Sequence, residues 1–120
     1  MAVIPRILKD RGRKLWRDLQ REAEFDPHET PVLLETCRTV DTIDALADAI
    51  ERDGVMITGS QGQSVINPAV AELRQQQQSL ARLMGILNLD SIDSVASLQT
   101  LASIHGRAAA NARHSKRNRA

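Results

Sequence analysis

Apolar side chains recur every three or four residues along most of this chain, which is the spacing of one face of an α-helix. The pattern predicts a first helix over about residues 10–24, a second that ends before Gly54 and a third over about residues 68–88. Residues 1–9 are also partly apolar, but Pro5 interrupts them. We therefore expect this N-terminal segment to be an arm and not a helix.

The start of the second helix has two candidates. Asp26 before Pro27 and Thr30 before Pro31 each place a capping side chain ahead of a proline in the first helical turn. Glu29 stands where a capping box needs a carboxylate. From either start, the apolar positions follow alternating steps of three and four, which is typical of a helix in a coiled-coil-like hairpin.

A different pattern separates the second and third helices. Residues 55–58 and 64–66 are β-prone, and the segment 59–63 between them contains two glycines. This arrangement predicts a small β-hairpin. The glycines are better explained by the turn than by phosphate binding, since no lysine follows them as a nucleotide-binding loop requires. A lone two-stranded hairpin is marginal in water, so we expect it to pack on a helix or pair with another subunit.

After Asn88, a capped segment beginning at Asp90 predicts a fourth helix. Its apolar residues are three apart, so they drift around the helix and give a wide surface suited to subunit contacts. Residues 107–120 have no apolar periodicity. The expected segments are a basic arm with helix (1–25), a helical oligomerisation core with its β-hairpin (26–90), a C-terminal helix (91–106) and a basic flexible tail (107–120).

The composition suggests a protomer with a thin core. The chain has 120 residues, enough for one domain, and its aromatic residues are Trp16 and Phe25 alone. A core made of aliphatic side chains in so short a chain favours helices that complete their packing against identical copies. The fold class that we predict is all-α with a small β-hairpin, organised around a central antiparallel helical hairpin. The residues expected at the oligomer interface are Leu33, Val40, Ile43, Ile50, Val55, Ile57, Leu80, Leu83, Leu87, Ile92, Val95 and Leu98.

The net charge of +1 conceals an uneven distribution. Residues 1–21 carry seven basic and two acidic side chains, and residues 106–120 carry five basic ones and no acidic ones, so each end has a net charge of +5. Two basic ends on an acidic body are typical of contact with a polyanion, although terminal charges can also serve solubility alone. Most of these side chains are arginines, which bind phosphate through a forked pair of donors. The expected DNA-binding residues are Arg6, Lys9, Arg11, Arg13, Lys14, Arg17, Arg21, Arg107, Arg113, Lys116, Arg117 and Arg119.

Several kinds of site are not expected. The apolar runs are too short for a membrane span or a signal peptide. Cys37 is the single cysteine, which excludes an internal disulfide, suits a reducing cytoplasm and is best explained as a packed thiol.

The remaining polar residues suggest no catalysis. None of the histidines (His28, His105 and His114) has a second ligand three or four residues after it, so we expect no metal site. Four acidic residues along the second helix are expected to form a solvated face: Asp41, Asp44, Asp48 and Glu51. We find no catalytic constellation and expect no cofactor.

An ordered set of short motifs resembles the small terminase subunits of tailed phages, notably those that infect actinobacteria. The motifs run in order over about residues 12 to 90. They include Gly12-Arg-Lys-Leu15-Trp16, Phe25-Asp-Pro27-His-Glu29, Leu33-Leu-Glu-Thr-Cys37-Arg38-Thr, Asp44-Ala-Leu46, Asp53-Gly54, Thr58-Gly59-Ser-Gln-Gly62-Gln63, Asn67-Pro68, Glu72-Leu-Arg74 and the helix from Leu80 to Leu89.

The resemblance implies a non-catalytic packaging protein in the host cytoplasm. Such subunits assemble as homo-oligomeric rings, bind double-stranded viral DNA near its packaging start and present it to the large terminase subunit, which carries the ATPase and nuclease. Members often begin with a helix-turn-helix, whereas this chain has room only for a basic arm and one helix before its hairpin. The C-terminal tail often contacts the large subunit, so residues 107–119 could serve either DNA or protein.

Two other functions fit the residues. A small dimeric DNA-binding regulator would show a fixed half-site spacing and a strong sequence preference. A protein adaptor with a basic docking tail would bind an acidic partner and leave DNA unbound.

Overall fold

The computed structural model describes residues 3–89, which form three helices and one two-stranded sheet. The elements are α1 (Asp10–Glu22), α2 (Thr30–Asp53), β1 (Met56–Thr58), β2 (Ser64–Ile66) and α3 (Pro68–Ile86). The predicted fold class, mainly helical with a small β-hairpin, is confirmed. The predicted fourth helix and tail, residues 91–106 and 107–120, lie outside the described residues.

Helices α2 and α3 pack against each other in antiparallel directions. The beginning of α2, at Leu33 and Cys37, shares one hydrophobic core with the end of α3, at Leu80 and Met84. Helix α1 packs on the same end through Leu15, Trp16 and Leu19. The core therefore lies where three helices meet, at the end of the α2–α3 hairpin that is remote from the β-hairpin.

The ends of α2 follow from local chemistry. The helix begins at Thr30, the later of the two candidate starts, with Pro31 in its first turn. The earlier candidate forms a turn, in which the backbone N–H of Asp26 donates to Glu29 Oε1 at 2.9 Å. At the other end Gly54 has a φ of 92°, which favours glycine and stops the helix.

The β-hairpin is short and is tied to the start of α3. Its strands pair antiparallel, with Met56 opposite Ile66. At its base, the backbone N–H of Asn67 donates to the carbonyl of Val55 at 2.7 Å. The Asn67 side chain donates to the carbonyl of Gly54 at 2.9 Å and accepts from the backbone N–H of Ala69 at 3.0 Å. One asparagine thus closes the hairpin and caps α3.

Burial is concentrated at one end of the helical hairpin. Within the part of the chain that the structure describes, no apolar side chain between Asp41 and Ser79 is buried. We call residues 43–73 the distal half. Three of its large apolar side chains are more than half exposed, at 53–58%: Val55, Met56 and Ile66.

The segment before α1 is an arm, as its sequence predicts. Leu8 is fully buried and Ile4 packs against the same core. The backbone N–H of Leu8 donates to the carbonyl of Pro5 at 3.2 Å, which closes a turn. The arm is therefore held against the helices by its own apolar side chains.

Candidate nucleic-acid interface

Helix α1 separates its basic side chains from its apolar ones. Leu15, Trp16 and Leu19 are buried, together with Gly12. The opposite side carries four exposed basic residues, which at 3.6 residues per turn fall within an arc of about 100°. We call these residues the basic face: Arg13, Lys14, Arg17 and Arg21.

Two members of the basic face share one carboxylate. Lys14 Nζ lies 2.7 Å from Asp18 Oδ2, and Arg21 Nη2 lies 2.6 Å from Asp18 Oδ1. The side chains of Lys14 and Arg21 are 70% and 71% exposed, whereas that of Asp18 is 10% exposed. The hydrogen bond from Lys14 Nζ and the neighbouring Arg21 guanidinium hold the pKa of Asp18 below its usual range, although burial opposes them.

The other two members of the basic face, Arg13 and Arg17, have no carboxylate partner among the described residues. Arg13 Nε donates to the carbonyl of Leu8 at 2.8 Å, which fixes the arm to α1. Arg17 is exposed and makes no ion pair or hydrogen bond within residues 3–89. Arg13 and Arg17 therefore keep donors that no carboxylate of the described chain occupies.

The remaining basic residues of the N-terminal region have different environments. Arg6 and Lys9 are exposed on the arm. Arg11 points to α2 and forms an ion pair with Asp44, so its guanidinium connects two helices. Burial raises the pKa of Asp44, and the Arg11 guanidinium partly offsets this effect. The five basic residues expected in the C-terminal tail, from Arg107 to Arg119, lie outside the described residues.

The position of α1 is set by a very close approach to α2. The backbone N–H groups of Lys9 and Gly12 donate to Asp41 Oδ2 and Oδ1 at 2.6 and 2.7 Å. Asp41 thus caps the N-terminus of a helix to which it does not belong, where a negative charge is favoured. A Cβ atom on Gly12 would lie 2.8 Å from the carbonyl oxygen of Cys37, so glycine is needed at the crossing.

These contacts correct the expected solvated acidic face of α2. Asp41 and Asp44 are half-buried and bonded to α1, because the helices cross beside them. Asp48 and Glu51, farther along α2, are exposed as expected. The four acidic residues of this expected face therefore divide into two that hold α1 and two that face solvent.

The expected interface residues also divide into two groups. Four of them are buried inside the protomer, and we place them in its own core because other parts of the same chain cover them: Leu33, Val40, Leu80 and Leu87. The others in the described part of the chain keep accessible surface: Ile43, Ile50, Val55, Ile57 and Leu83. Ile92, Val95 and Leu98 lie outside the described residues.

The polar groups with other possible chemistry have structural explanations. Cys37 is fully buried, and burial raises the pKa of its thiol to about 12, which removes its nucleophilic form at neutral pH. Ligand atoms of Asp26, His28 and Glu29 lie within 4.8 Å of one another at the start of α2. Asp26 and His28 are exposed, and Glu29 Oε1 accepts a hydrogen bond from the backbone N–H of Asp26 in the turn before α2. No helix among the described residues is long and apolar enough to cross a membrane.

Comparison with known proteins identifies one family. The family described as phage terminase, small subunit, matches residues 10–101, which include α1, the helical hairpin and the β-hairpin. No curated protein and no solved structure matched the chain.

Proposed function

The chain belongs to the phage terminase small subunit family, and we propose that identical copies of it assemble into a non-catalytic ring that binds viral DNA. In this proposal the ring presents the DNA to the large terminase subunit, which supplies the ATPase and nuclease, in the host cytoplasm. The protein itself would need no cofactor. The basic face of α1 is the observation that carries the proposed DNA contact.

The basic face suits a phosphate backbone better than it suits individual bases. Its four cationic side chains lie on one exposed side of a helix that Asp41 and Gly12 hold rigidly against α2. Binding through such cations releases counterions from DNA and depends on charge more than on sequence. Repetition of the same face around an oligomer multiplies the positive field that a duplex meets.

Self-association is supported by the distal half. A two-stranded sheet is marginal by itself, and the sheet of this protomer exposes Met56 and Ile66 side by side. Its outer edges also leave backbone groups unpaired, which makes them available to another chain. We propose that neighbouring protomers cover this surface through a head-to-tail contact, the type that closes into rings.

The proposed DNA contact is tested by a pair of double variants with equal charge loss. Arg13→Gln with Arg17→Gln removes the two basic-face residues without a carboxylate partner. Arg74→Gln with Arg82→Gln removes two exposed arginines from α3. We expect the first pair to weaken duplex binding roughly thirty-fold at about 0.15 M salt, since about two phosphate contacts are lost.

The α3 pair should bind nearly as well as the unchanged protein, and random duplex should bind nearly as well as phage duplex. Equal losses from both pairs would contradict the basic face as the contact. A strong preference for one sequence at fixed spacing would favour the dimeric regulator instead.

The expected contacts in the tail belong to the same proposal. Arg107, Arg113, Lys116, Arg117 and Arg119 would bind either DNA or the large subunit. A chain that ends at Gly106 should lose one of these activities and keep the other, as measured by duplex binding and by capture of the large subunit. If the full chain does not bind DNA and the chain that ends at Gly106 no longer captures the large subunit, the adaptor function would be favoured.

A further inference from the structure

Asp18 on α1 is less exposed than an ordinary surface carboxylate. It lies between the apolar and basic sides of the helix, and 7% of the residue is exposed. A buried carboxylate is costly unless cations and hydrogen bonds compensate it. Here Lys14 and Arg21 do so, from one turn before and one turn after.

The two cations that pair with Asp18, Lys14 and Arg21, are also groups that would bind a phosphate. A carboxylate and a phosphate oxygen accept the same charge-assisted hydrogen bonds from lysine and arginine. Asp18 is part of the same helix, so it competes for Lys14 and Arg21 at a high effective concentration. Its two oxygens have different partners, with Oδ2 held by Lys14 and Oδ1 held by Arg21.

We infer that Asp18 limits the affinity of α1 for a phosphate backbone by occupying Lys14 and Arg21 as an internal substitute for phosphate. This inference rests on the proposed DNA contact and extends it, because it divides the basic face into two kinds of residue. Arg13 and Arg17 bind phosphate freely, whereas Lys14 and Arg21 bind it only when they leave or share Asp18. The consequence is a weaker and less salt-dependent contact than four free cations would give.

The direct test compares two variants that each remove one negative charge from α1. Asp18→Asn releases Lys14 and Arg21, whereas Asp10→Asn removes an exposed carboxylate that has no ion-pair partner within residues 3–89. We expect Asp18→Asn to bind duplex roughly five- to thirty-fold more tightly at about 0.15 M salt. The slope of log affinity against log salt should steepen by about one to two, because each additional phosphate contact adds about 0.9.

Asp10→Asn should change the slope by much less. If the two variants change the slope equally, or if Asp18→Asn binds more weakly while its circular dichroism remains that of the unchanged protein, the inference is overturned. Asp18→Asn in a chain that already carries Lys14→Gln and Arg21→Gln should leave the slope unchanged. A steeper slope in that background would also contradict the inference, since Asp18 would then act without the two cations.

A second comparison does not require Asp18 to be altered. Arg21→Gln and Arg17→Gln each remove one exposed arginine, one turn apart on the same helix. Arg17→Gln should reduce the salt slope by about 0.9 and Arg21→Gln by clearly less, since Arg21 is already paired. Equal reductions would overturn the inference. If the unchanged protein binds no duplex even at low salt, the proposed function itself fails; if it binds and only these differences are missing, the inference alone fails.

Discussion

At Gly12 the two helices are so close that a single methyl group has no room. A Cβ atom there would lie 2.8 Å from the backbone oxygen of Cys37, and 2.7 Å from Asp41 Cγ. The Asp41 side chain can move only by giving up its bonds to the N-terminus of α1. The crossing of α1 and α2 therefore depends on this glycine.

We predict that Gly12→Ala destabilises the protein by about 1–3 kcal/mol, the usual cost of overpacking. Alanine is the better helix former by about 1 kcal/mol, so the sign of the change tests the contact and not the helix propensity. The free energy of unfolding in urea measures it. A matched control is Gly85→Ala near the end of α3, where a Cβ atom would meet nothing within 4 Å. A more stable Gly12→Ala variant would contradict the close approach.

The thiol of Cys37 gives a pH-dependent prediction. Its folded pKa is raised to about 12 from an ordinary value of 9.0, chiefly by burial and further by Asp41. Above pH 9 the unfolded chain loses the thiol proton while the folded chain keeps it, so stability falls as pH rises from 9 towards 12. The expected slope is about 1.4 kcal/mol per pH unit.

The measurement is the free energy of unfolding between pH 8 and 11, with Cys37→Ala as the comparison. The chain contains no tyrosine, so the thiol is less obscured by other titrations in this range. A thiol reagent at pH 8 should label Cys37 only as fast as the protein opens. Rapid labelling of the folded protein would contradict the burial.

At the scale of the elements, Asn67 joins the β-hairpin to α3 by two different side-chain bonds. Its oxygen accepts from Ala69, as an N-cap does, and its amide donates to the carbonyl of Gly54. We predict that Asn67→Ala costs about 1–2 kcal/mol, because it loses both bonds. Asn67→Ser keeps a capping oxygen but loses the amide donor to Gly54, so its cost should be smaller.

Thermal unfolding of the unchanged protein and the two Asn67 variants, followed by circular dichroism, measures this order of stability. An Asn67→Ala variant as stable as the unchanged protein would show that neither bond matters. If Asn67→Ser is as unstable as Asn67→Ala, the bond to Gly54 dominates and the capping role is contradicted.

Sequence alone predicted these elements well for a local reason. Gly54 and Pro68 mark element ends by constraints of their own backbone, so the bounds of α2 and α3 were found to within a few residues. The roles of Gly12 and Asp41 were not predicted, because the bond between them joins residues 29 positions apart. Periodicity identifies an apolar side such as that of Leu33 and Val40, but it does not say what covers that side. In the protomer these two residues lie in the hydrophobic core. The pairing of Asp18 was not predicted, although Lys14 and Arg21 stand four residues before it and three after.

At the scale of the whole molecule, the distal half offers a test of self-association. Met56 and Ile66 lie opposite each other on the exposed face of the sheet, and Thr58 and Ser64 lie opposite each other on that face nearer the turn. We predict that Met56→Lys with Ile66→Lys dissociates the assembly into single protomers, because the two substitutions would place charges in an apolar contact. Lysines at Thr58 and Ser64 are the matched control, with equal charge and equal strand pairing.

Light-scattering mass distinguishes the outcomes, with circular dichroism as the check on helical content. The control should keep the mass of the unchanged protein. An unchanged protein that is already a protomer at high concentration would contradict the proposed ring. An assembly that survives lysines at Met56 and Ile66 would contradict the β-hairpin as its contact.

The burial at one end of the helical hairpin also has a consequence for local opening. Amide protons near Leu33 and Leu80 are protected by a core that each protomer forms alone, so their exchange rates are independent of how many protomers are in solution. Amide protons near Ile50 and Val70 lack such a core. If neighbouring copies cover this region, mass action makes their protection increase with protein concentration. One helix would then show two exchange regimes along its length, one intrinsic to the chain and one conferred by its neighbours.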